Sequence, residues 1–192
     1  RKYGQKVIVA THTINLQEQL YFKDLPFLKK ILPFTFKTQL LKGRGNYLCL
    51  KEFYRDKWKN ELMTEERIVY AAMLNWIEET STGDLNEIAL FHNFGSLKRK
   101  FGAETADCRP RECYYAKECF LLKAKKLAEE ADLIVVNHSL LLADIKTNNK
   151  VIPEYNYLII DEAHNLYQTA LKQLGFELNL EQIINPINKL LT

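Results

Sequence analysis

Residues 157–166 read YLIIDEAHNL, a short apolar run that ends in an acidic pair. The apolar part is rich in branched side chains, which is typical of a strand covered on both faces of a sheet. Two similar runs lie earlier in the chain, VIVAT at 7–11 and LIVVN at 133–137. The sequence therefore predicts three parallel strands, over 7–11, 133–137 and 157–161.

A helical pattern follows each predicted strand. The three patterns cover Leu16–Leu25, Ser139–Ile145 and Ala163–Leu174. Strand followed by helix, repeated along the chain, favours an α/β fold in which helices connect the strands of a parallel sheet. In open sheets of this kind, ligands bind at the carboxyl ends of the strands.

The middle of the chain has a different character. More than 100 residues separate the first two predicted strands, far more than a crossover connection needs. Apolar residues at helical spacing predict an amphipathic helix over 65–80, with Thr64 as its N-cap, and a second helix over 117–131. The TGD sequence at 82–84 predicts a turn before another helix. A mostly helical insertion is thus predicted to interrupt the sheet.

The composition is that of a globular protein. The chain has 192 residues, of which 47% are hydrophobic and 27% charged, and this suits one medium domain or a domain with an insertion. No apolar run approaches the ~18 residues of a membrane span, and the first residues do not resemble a signal peptide. We therefore expect a cytoplasmic protein with no membrane partner, whose clustered thiols serve metal binding or catalysis rather than disulfides.

Four cysteines, all within the predicted insertion, are candidate metal ligands. They are Cys49, Cys108, Cys113 and Cys119, separated by 58, four and five residues. Structural zinc sites favour tighter pairs, whereas a [4Fe–4S] cluster takes four thiolates and accepts looser spacing. The residues alone leave three alternatives open, namely a cluster, zinc, and unrelated buried cysteines. Charged neighbours of the last three cysteines argue against the buried role, and nearby lysines and arginines favour thiolates.

The segment 98–126 is basic. It holds nine lysines or arginines against four acidic residues, with aromatic side chains interleaved. Such a stretch could track a phosphate backbone and stack bases, although a solvated helix face explains it equally well. The candidate DNA contacts around the cysteines are Arg109, Arg111 and Tyr114 in this segment, together with Lys42 and Arg44 close before Cys49.

The acidic pair Asp161 and Glu162 is the second candidate site. An Asp at the end of a parallel strand can hold Mg²⁺, directly or through water, and a neighbouring Glu can orient or deprotonate an attacking water. The alternative is an ordinary helix N-terminus, where acidic residues are favoured by the helix dipole. The order strand, Asp, Glu, Ala163, His164 is more specific than the acidic pair alone.

These motifs together resemble a known family. The IIDEAHN sequence is similar to motif II, the Walker B box, of superfamily 2 helicases, and with the four cysteines it resembles the iron–sulfur DinG/XPD-type DNA helicases, the bacterial DinG-like branch most closely. Three further segments carry the resemblance: Ala10–Leu20, similar to motif Ia; Leu40–Cys49, similar to the segment of the first cluster cysteine; and Ala131–Asp144, similar to the return from the cluster domain.

The resemblance implies a function for each site. It makes residues 161–164 a DEAH box that acts on ATP with Mg²⁺ at Asp161 and water activated by Glu162. It makes the four cysteines ligands of a [4Fe–4S] cluster, and Thr11 and His12 a loop that contacts DNA, although a helix-capping Thr13 with solvent-exposed neighbours explains this loop equally well. The implied partners are single-stranded or junction DNA and the remainder of a parent helicase, with 5′ to 3′ unwinding and a monomeric state.

The resemblance also implies domain boundaries. Residues 1–40 would be the first part of helicase motor domain 1, and 41–130 the helical cluster insertion. Residues 131–175 would return to the motor with the DEAH box, and 176–192 would begin an arch-like helical insertion.

One family feature is missing from the sequence. No G-x4-G-K-[ST] motif occurs, so the phosphate-binding loop and its lysine are absent, and nothing after residue 164 resembles the later helicase motifs. We therefore interpret the chain as part of a longer helicase rather than a paralogue that lost its motor. The alternative function is a zinc- or cluster-stabilised nucleic-acid-binding module without motor activity; an electron carrier fits less well.

Two smaller predictions concern packing. Trp58 and Trp76 lie on helical patterns and are predicted to be core residues, and His138 is predicted to be structural at a strand end.

The missing phosphate loop yields a first prediction about ATP. This chain alone should bind Mg·ATP weakly at best and hydrolyse none, because its acidic pair has no partner loop to hold the phosphates. Calorimetric titration is the measurement, and a micromolar affinity for ATP would contradict the prediction.

Overall fold

The computed structural model describes residues 4–55, 62–88, 95–104 and 108–175. Predictions for Trp58 and for the arch-like segment at 176–192 lie outside the described residues.

A parallel four-stranded sheet organises the fold. Its strands are β1 (Val7–Thr11), β2 (Thr38–Leu40), β3 (Leu133–Asn137) and β4 (Tyr157–Ile160). Their order is β2-β3-β1-β4, and all three pairings are parallel. The predicted α/β fold and its three strands are confirmed, with the last strand one residue shorter. The sequence missed β2, because three residues with two polar side chains, TQL, give no apolar run.

Helices occupy most of the described chain between the strands. They are α1 (Ile14–Gln19), α2 (Leu25–Ile31), α3 (Leu50–Phe53), α4 (Thr64–Glu79), α5 (Gly95–Phe101), α6 (Phe120–Glu130), α7 (His138–Lys146) and α8 (Leu166–Leu174). A π-helical turn at Leu20–Asp24 joins α1 to α2, so the predicted helix at 16–25 is part of a longer helical stretch. Among the described residues, no helix is long and apolar enough to cross a membrane.

The helix predicted at 65–80 is α4, but its N-cap was wrong. Met63 takes the capping position, with an extended backbone, and Thr64 is the first helical residue. The reason is the acidic side chain three residues further on, because the carboxylate of Glu66 accepts the backbone N–H of Met63 at 3.1 Å. A glutamate that reaches back in this way stabilises the first turn without a hydroxyl at the cap.

Two apolar clusters form the core. The first lies around the sheet and includes Ile8, Ile134 and Val136, with α6 adding Leu121 and Ala124. The second lies among the inserted helices and joins α3, α4 and α5 through Phe53, Val69, Met73, Leu97 and Phe101. Phe120, at the start of α6, packs against both clusters and so links the insertion to the sheet. Trp76, predicted to be core, is partly buried against the second cluster.

The turn predicted at 82–84 lies against Phe120. Gly83 has a φ of +63°, and a Cβ at this position would stand 2.2 Å from the Phe120 ring. Only glycine tolerates both the left-handed backbone and so close an approach. Asp84 then accepts the N–H of Asn86 at 3.0 Å and caps the short 3-10 turn Leu85–Glu87.

β4 differs from the prediction. The sequence predicts a strand covered on both faces, yet Tyr157, Leu158 and Ile159 are 52%, 38% and 54% exposed. Successive side chains of a strand point to opposite faces, so both faces of β4 are open within the part of the chain that the structure describes. Exposed apolar side chains on both faces of a strand are unfavourable in water. β4 is therefore where the described part of the sheet lacks cover.

A buried ion cluster joins the sheet to the insertion. The ammonium of Lys42, just after β2, contacts Glu18 on α1 at 2.6 Å and also pairs with Asp84 in the turn. The Lys42 side chain is 2% exposed and that of Asp84 13%, so neither charge is well solvated. Lys42 was a candidate DNA contact; its burial and its two carboxylate partners give it a structural role, and its DNA contact stays a prediction.

The buried pair yields a stability prediction. Lys42→Met should lower the free energy of unfolding by roughly 3–5 kcal/mol, because the charge of Asp84 would stay buried without its partner. Lys37→Met is the matched control, since the Lys37–Glu130 pair is exposed and should contribute less than about 1 kcal/mol. Urea denaturation of the two variants is the measurement, and equal losses would refute the role given to Lys42.

Candidate functional site

The carboxyl ends of three strands meet at one edge of the sheet. β1 is central, and its last residue, Thr11, is in register with Asn137 at the end of β3. On its other side, the backbone N–H of Asp161 donates to the Ala10 carbonyl at 2.8 Å, which continues the pairing of β4. Chain segments more than 100 residues apart are therefore adjacent at this edge.

Asp161 is held by one residue of the sheet and one of the helix that follows β3. The hydroxyl of Thr11 donates to its carboxylate at 2.9 Å, and Nε2 of His138 lies 2.8 Å from its carbonyl oxygen. Thr11 and His138 are both fully buried. The residue Asp161 is exposed, so its carboxylate is held on one side by Thr11 and is open to solvent on the other. A carboxylate presented in this way suits a Mg²⁺ ligand, directly or through water.

Glu162 adopts an unusual backbone conformation. Its φ of 53° and ψ of 39° lie in the left-handed region, which non-glycine residues rarely occupy. The side chain is exposed, and Nδ1 of His164 stands 3.4 Å from its carboxylate. Nε2 of His164 in turn lies 2.9 Å from the side-chain amide of Asn165. Backbone strain of this kind gathers at functional sites, where the surrounding structure maintains it.

The loop after β1 lies beside this site. Thr11 is buried and its hydroxyl is engaged by Asp161, so the structure gives it a different partner from the predicted DNA backbone. His12 is half-buried, with its ring 5.9 Å from that of His138. Its DNA contact stays a prediction. Thr13 caps α1 by accepting the N–H of Leu16 at 3.2 Å.

The four cysteines line one small cavity. It measures about 40 Å³, and its walls include all four cysteines together with Lys51, Arg109 and Tyr115. Cys49 is brought there by backbone bonds of its segment: its N–H donates to the Phe101 carbonyl at 2.8 Å, and the Ala103 N–H donates to the Tyr47 carbonyl at 3.0 Å. All four thiols are free, so none is consumed by a disulfide.

This cavity brings the four candidate ligands of a metal centre together. Tetrahedral zinc would hold its thiolates about 3.8 Å apart, from a Zn–S bond of about 2.3 Å. Within the described ranges, no three Cys, His, Asp or Glu side chains are gathered closely enough for one metal ion. Four thiols line the cavity, which is the number that a [4Fe–4S] cluster takes. Burial raises the pKa of the Cys49 thiol, so metal ligation would have to favour its thiolate.

An open, basic cleft adjoins the cysteine cavity. It encloses about 810 Å³ between the insertion and α7, and Cys108 lines both spaces. The charged residues of its lining are Lys42, Arg44, Lys98, Arg99, Glu104 and Lys125. Burial lowers the pKa of Lys98, which donates to Asn46 and Asn86 at 2.9 and 2.6 Å. The sequence missed this cleft, because its lining comes from separate segments.

The predicted DNA contacts differ in their exposure. Tyr114 is 90% exposed, with its ring edge-on to that of Tyr115. Arg109 and Arg111 are exposed as well, and Arg109 lies 3.6 Å from Glu112. Arg44 is exposed but donates to the Ala103 carbonyl at 2.6 Å, so it also fixes the wall of the cleft. These four side chains remain candidates.

The fold and the two sites define a class of protein: a parallel-sheet domain with a DEAH strand end and a cysteine-bearing insertion. The chain belongs to the DEAD_2 family, whose family model matches residues 12–183. This finding confirms the resemblance seen in the sequence motifs.

Individual relatives are helicases and an exonuclease. The chain is 35% identical over 190 residues to ATP-dependent DNA helicase YoaA of Haemophilus influenzae, covering 95% of this chain and 29% of that protein. It is 35% identical over 175 residues to the 3'-5' exonuclease DinG of Bacillus subtilis, covering 91% and 19%. It is 30% identical over 190 residues to ATP-dependent DNA helicase DinG of Escherichia coli, covering 88% and 26%. The chain thus spans less than a third of each of these relatives.

The cysteine cavity yields a prediction about metal. Anaerobically purified protein should be brown with about four irons per chain, and Cys113→Ser should lose both colour and iron. Ligation would close a loop of about 60 residues between Cys49 and Cys108, contributing roughly 4 kcal/mol on the loop-entropy estimate made for disulfides. Residues 43–120 should therefore become less protected from hydrogen exchange in the variant while β1, β3 and β4 stay protected.

Tyr114→Ser is the control for this experiment, because Tyr114 is an exposed neighbour of Cys113 and should leave the iron content unchanged. Elemental analysis that finds stoichiometric zinc and no iron would overturn the cluster assignment in favour of the zinc module.

Proposed function

We propose that this chain is part of an ATP-dependent DNA helicase and supplies one half of its nucleotide site together with a DNA-contacting [4Fe–4S] insertion. The single observation that carries the proposal is the fixed, solvent-facing carboxylate of Asp161 at the carboxyl edge of the parallel sheet. It is supported by membership in the DEAD_2 family and by relatives named as ATP-dependent DNA helicases.

The acidic pair divides the chemistry between its two carboxylates. Mg²⁺ bound with ATP would neutralise the charge that develops on the phosphates. Asp161, held by Thr11, would orient that ion, directly or through water. Glu162 would position the attacking water and accept its proton, and its left-handed backbone turns its side chain away from the direction that a right-handed helix start would give. His164 stands beside Glu162 and completes the DEAH box.

The cysteine insertion would contribute to DNA binding. A [4Fe–4S] cluster on Cys49, Cys108, Cys113 and Cys119 would cross-link two distant parts of the insertion and so support its fold. The basic cleft beside it suits a phosphate backbone, because Arg44, Lys98, Arg99 and Lys125 line it besides Lys42, whose charge is already paired. Exposed Tyr114 offers a ring on which a base could stack.

Further parts of the proposal concern the whole protein. The remainder of the helicase would supply the phosphate loop and a second motor domain. We propose a monomeric, cytoplasmic enzyme that acts on single-stranded or junction DNA with 5′ to 3′ polarity, as the family resemblance implies.

A second candidate function is a metal-stabilised nucleic-acid-binding module without motor activity. The observation that favours it is the basic cleft that shares Cys108 with the four-cysteine cavity, an arrangement that suits a nucleic acid without a nucleotide. The two candidates differ in whether the full-length protein hydrolyses ATP.

The experiment that separates the two candidates is an ATPase assay of the full-length protein that contains this chain. Glu162→Gln should lower kcat by at least 100-fold, because general-base catalysis contributes about that much, and should leave ATP binding largely intact. Glu154→Gln is the control, since Glu154 is an exposed residue of the loop before β4. A wild-type protein that binds DNA but shows no DNA-stimulated hydrolysis would favour the module without motor activity.

DNA binding by the chain itself can be tested separately. Fluorescence anisotropy should show sequence-independent binding that weakens steeply with salt, with single strands preferred. Replacing Arg99 and Arg111 together by alanine should weaken binding and flatten the salt dependence, whereas Lys30→Ala on α2 should change little. Binding that is absent at low salt, or indifferent to salt, would contradict the proposed interface.

A further inference from the structure

His138 makes a contact that the proposed mechanism does not yet use. It is the first residue of α7 and is completely buried beneath the strand ends. Its Nε2 lies 2.8 Å from the carbonyl oxygen of Asp161. A carbonyl oxygen can only accept, so the hydrogen of this bond is on Nε2. Nδ1 of the same ring is buried and has no hydrogen-bond partner among the described residues.

An imidazole with one nitrogen unpaired is a costly way to fill a core. A leucine or methionine would fill similar space without burying an unsatisfied polar atom. The free-energy cost of the unpaired Nδ1 is explained if the hydrogen bond of Nε2 has a role in the site. The bond to Asp161 is therefore the feature of His138 that requires an explanation.

The bonded carbonyl belongs to the peptide between Asp161 and Glu162. The orientation of this peptide sets ψ of Asp161 and φ of Glu162, which is 53° and lies in the left-handed region. The Asp161 N–H is held by Ala10, and the Glu162 carbonyl accepts the Asn165 N–H at 2.9 Å. With both flanking peptides bonded, a flip of the central peptide would relieve the left-handed strain of Glu162. The bond from His138 opposes that flip.

We propose that His138 is a positioning residue for Glu162. Its Nε2–H holds the Asp161 carbonyl, keeps Glu162 in the left-handed conformation, and so sets the direction in which the Glu162 carboxylate leaves the backbone. Thr11 holds the carboxylate of Asp161 and His138 holds its carbonyl, so the two residues of the acidic pair are oriented by separate buried donors. The effect on hydrolysis rests on the proposed function; the effect on the backbone does not.

Two substitutions separate this role from simple packing. His138→Gln keeps an N–H donor whose reach is close to that of Nε2, whereas His138→Leu removes the donor and keeps an apolar side chain. In the full-length protein, His138→Leu should lower kcat for ATP hydrolysis at least tenfold with little change in KM for ATP. His138→Gln should recover most of that loss. Equal losses in both variants, or losses that follow their melting temperatures, would mean that His138 only fills space.

A backbone measurement on the 192-residue chain keeps the inference independent of ATPase activity. Nitrogen-15 NMR of the imidazole should find the hydrogen on Nε2 and protected from exchange. The coupling between the amide and α protons of Glu162, together with its carbon chemical shifts, should report a positive φ in the wild type and in His138→Gln. In His138→Leu the same measurements should report a negative φ. A hydrogen on Nδ1, or an unchanged Glu162 conformation in His138→Leu, refutes the positioning role.

The two arms fail in different ways. A wild-type full-length protein without ATPase activity would refute the proposed helicase function, while the NMR result would still decide whether His138 controls Glu162. An active wild type with an equally active His138→Leu variant would refute the inference and leave the proposed function standing.

Discussion

Parallel pairing of β1 with β3 on one side and β4 on the other is the constraint on which the rest of the structure depends. The register aligns Thr11 with Asn137 and bonds Asp161 to Ala10, so the chemistry-bearing residues of three strands reach the same edge. A slip of one residue would move every side chain of a strand to the opposite face. The pairing therefore fixes both the core around the sheet and the acidic pair at its carboxyl edge.

The insertion has to leave this sheet and return to it without disturbing the register. Two features anchor it on both sides. The first is Lys42, whose ammonium pairs with Glu18 of α1 and with Asp84 of the turn. The second is Phe120, which packs against both apolar clusters because Gly83 has no side chain to collide with its ring. Cys108 and Leu121 line both the cysteine cavity and the basic cleft, and Lys42 lines the cleft, so the candidate metal site and the candidate DNA path share walls with one of these anchors.

The acidic edge and the insertion also share α7. His138 at the start of this helix contacts the backbone of Asp161, and further along the same helix Leu140 and Leu141 belong to the sheet core. The side of α7 that includes Ser139 and Ala143 lines the basic cleft. One short helix thus touches the candidate nucleotide site and the candidate DNA path, so a displacement of α7 would affect both sites.

The sequence by itself determined the local features, because each rests on neighbours in the chain. Apolar runs predicted β1, β3 and β4, helical periodicity predicted α4 and α7, and TGD predicted the turn at Gly83. Only the tertiary structure decided which distant groups meet. Lys42, expected at DNA, is buried by carboxylates 24 and 42 residues away, and Thr11 is bonded to a residue 150 positions later. The left-handed Glu162 and its support by His138 were likewise invisible in the sequence, since a backbone torsion held by a distant side chain leaves no local pattern.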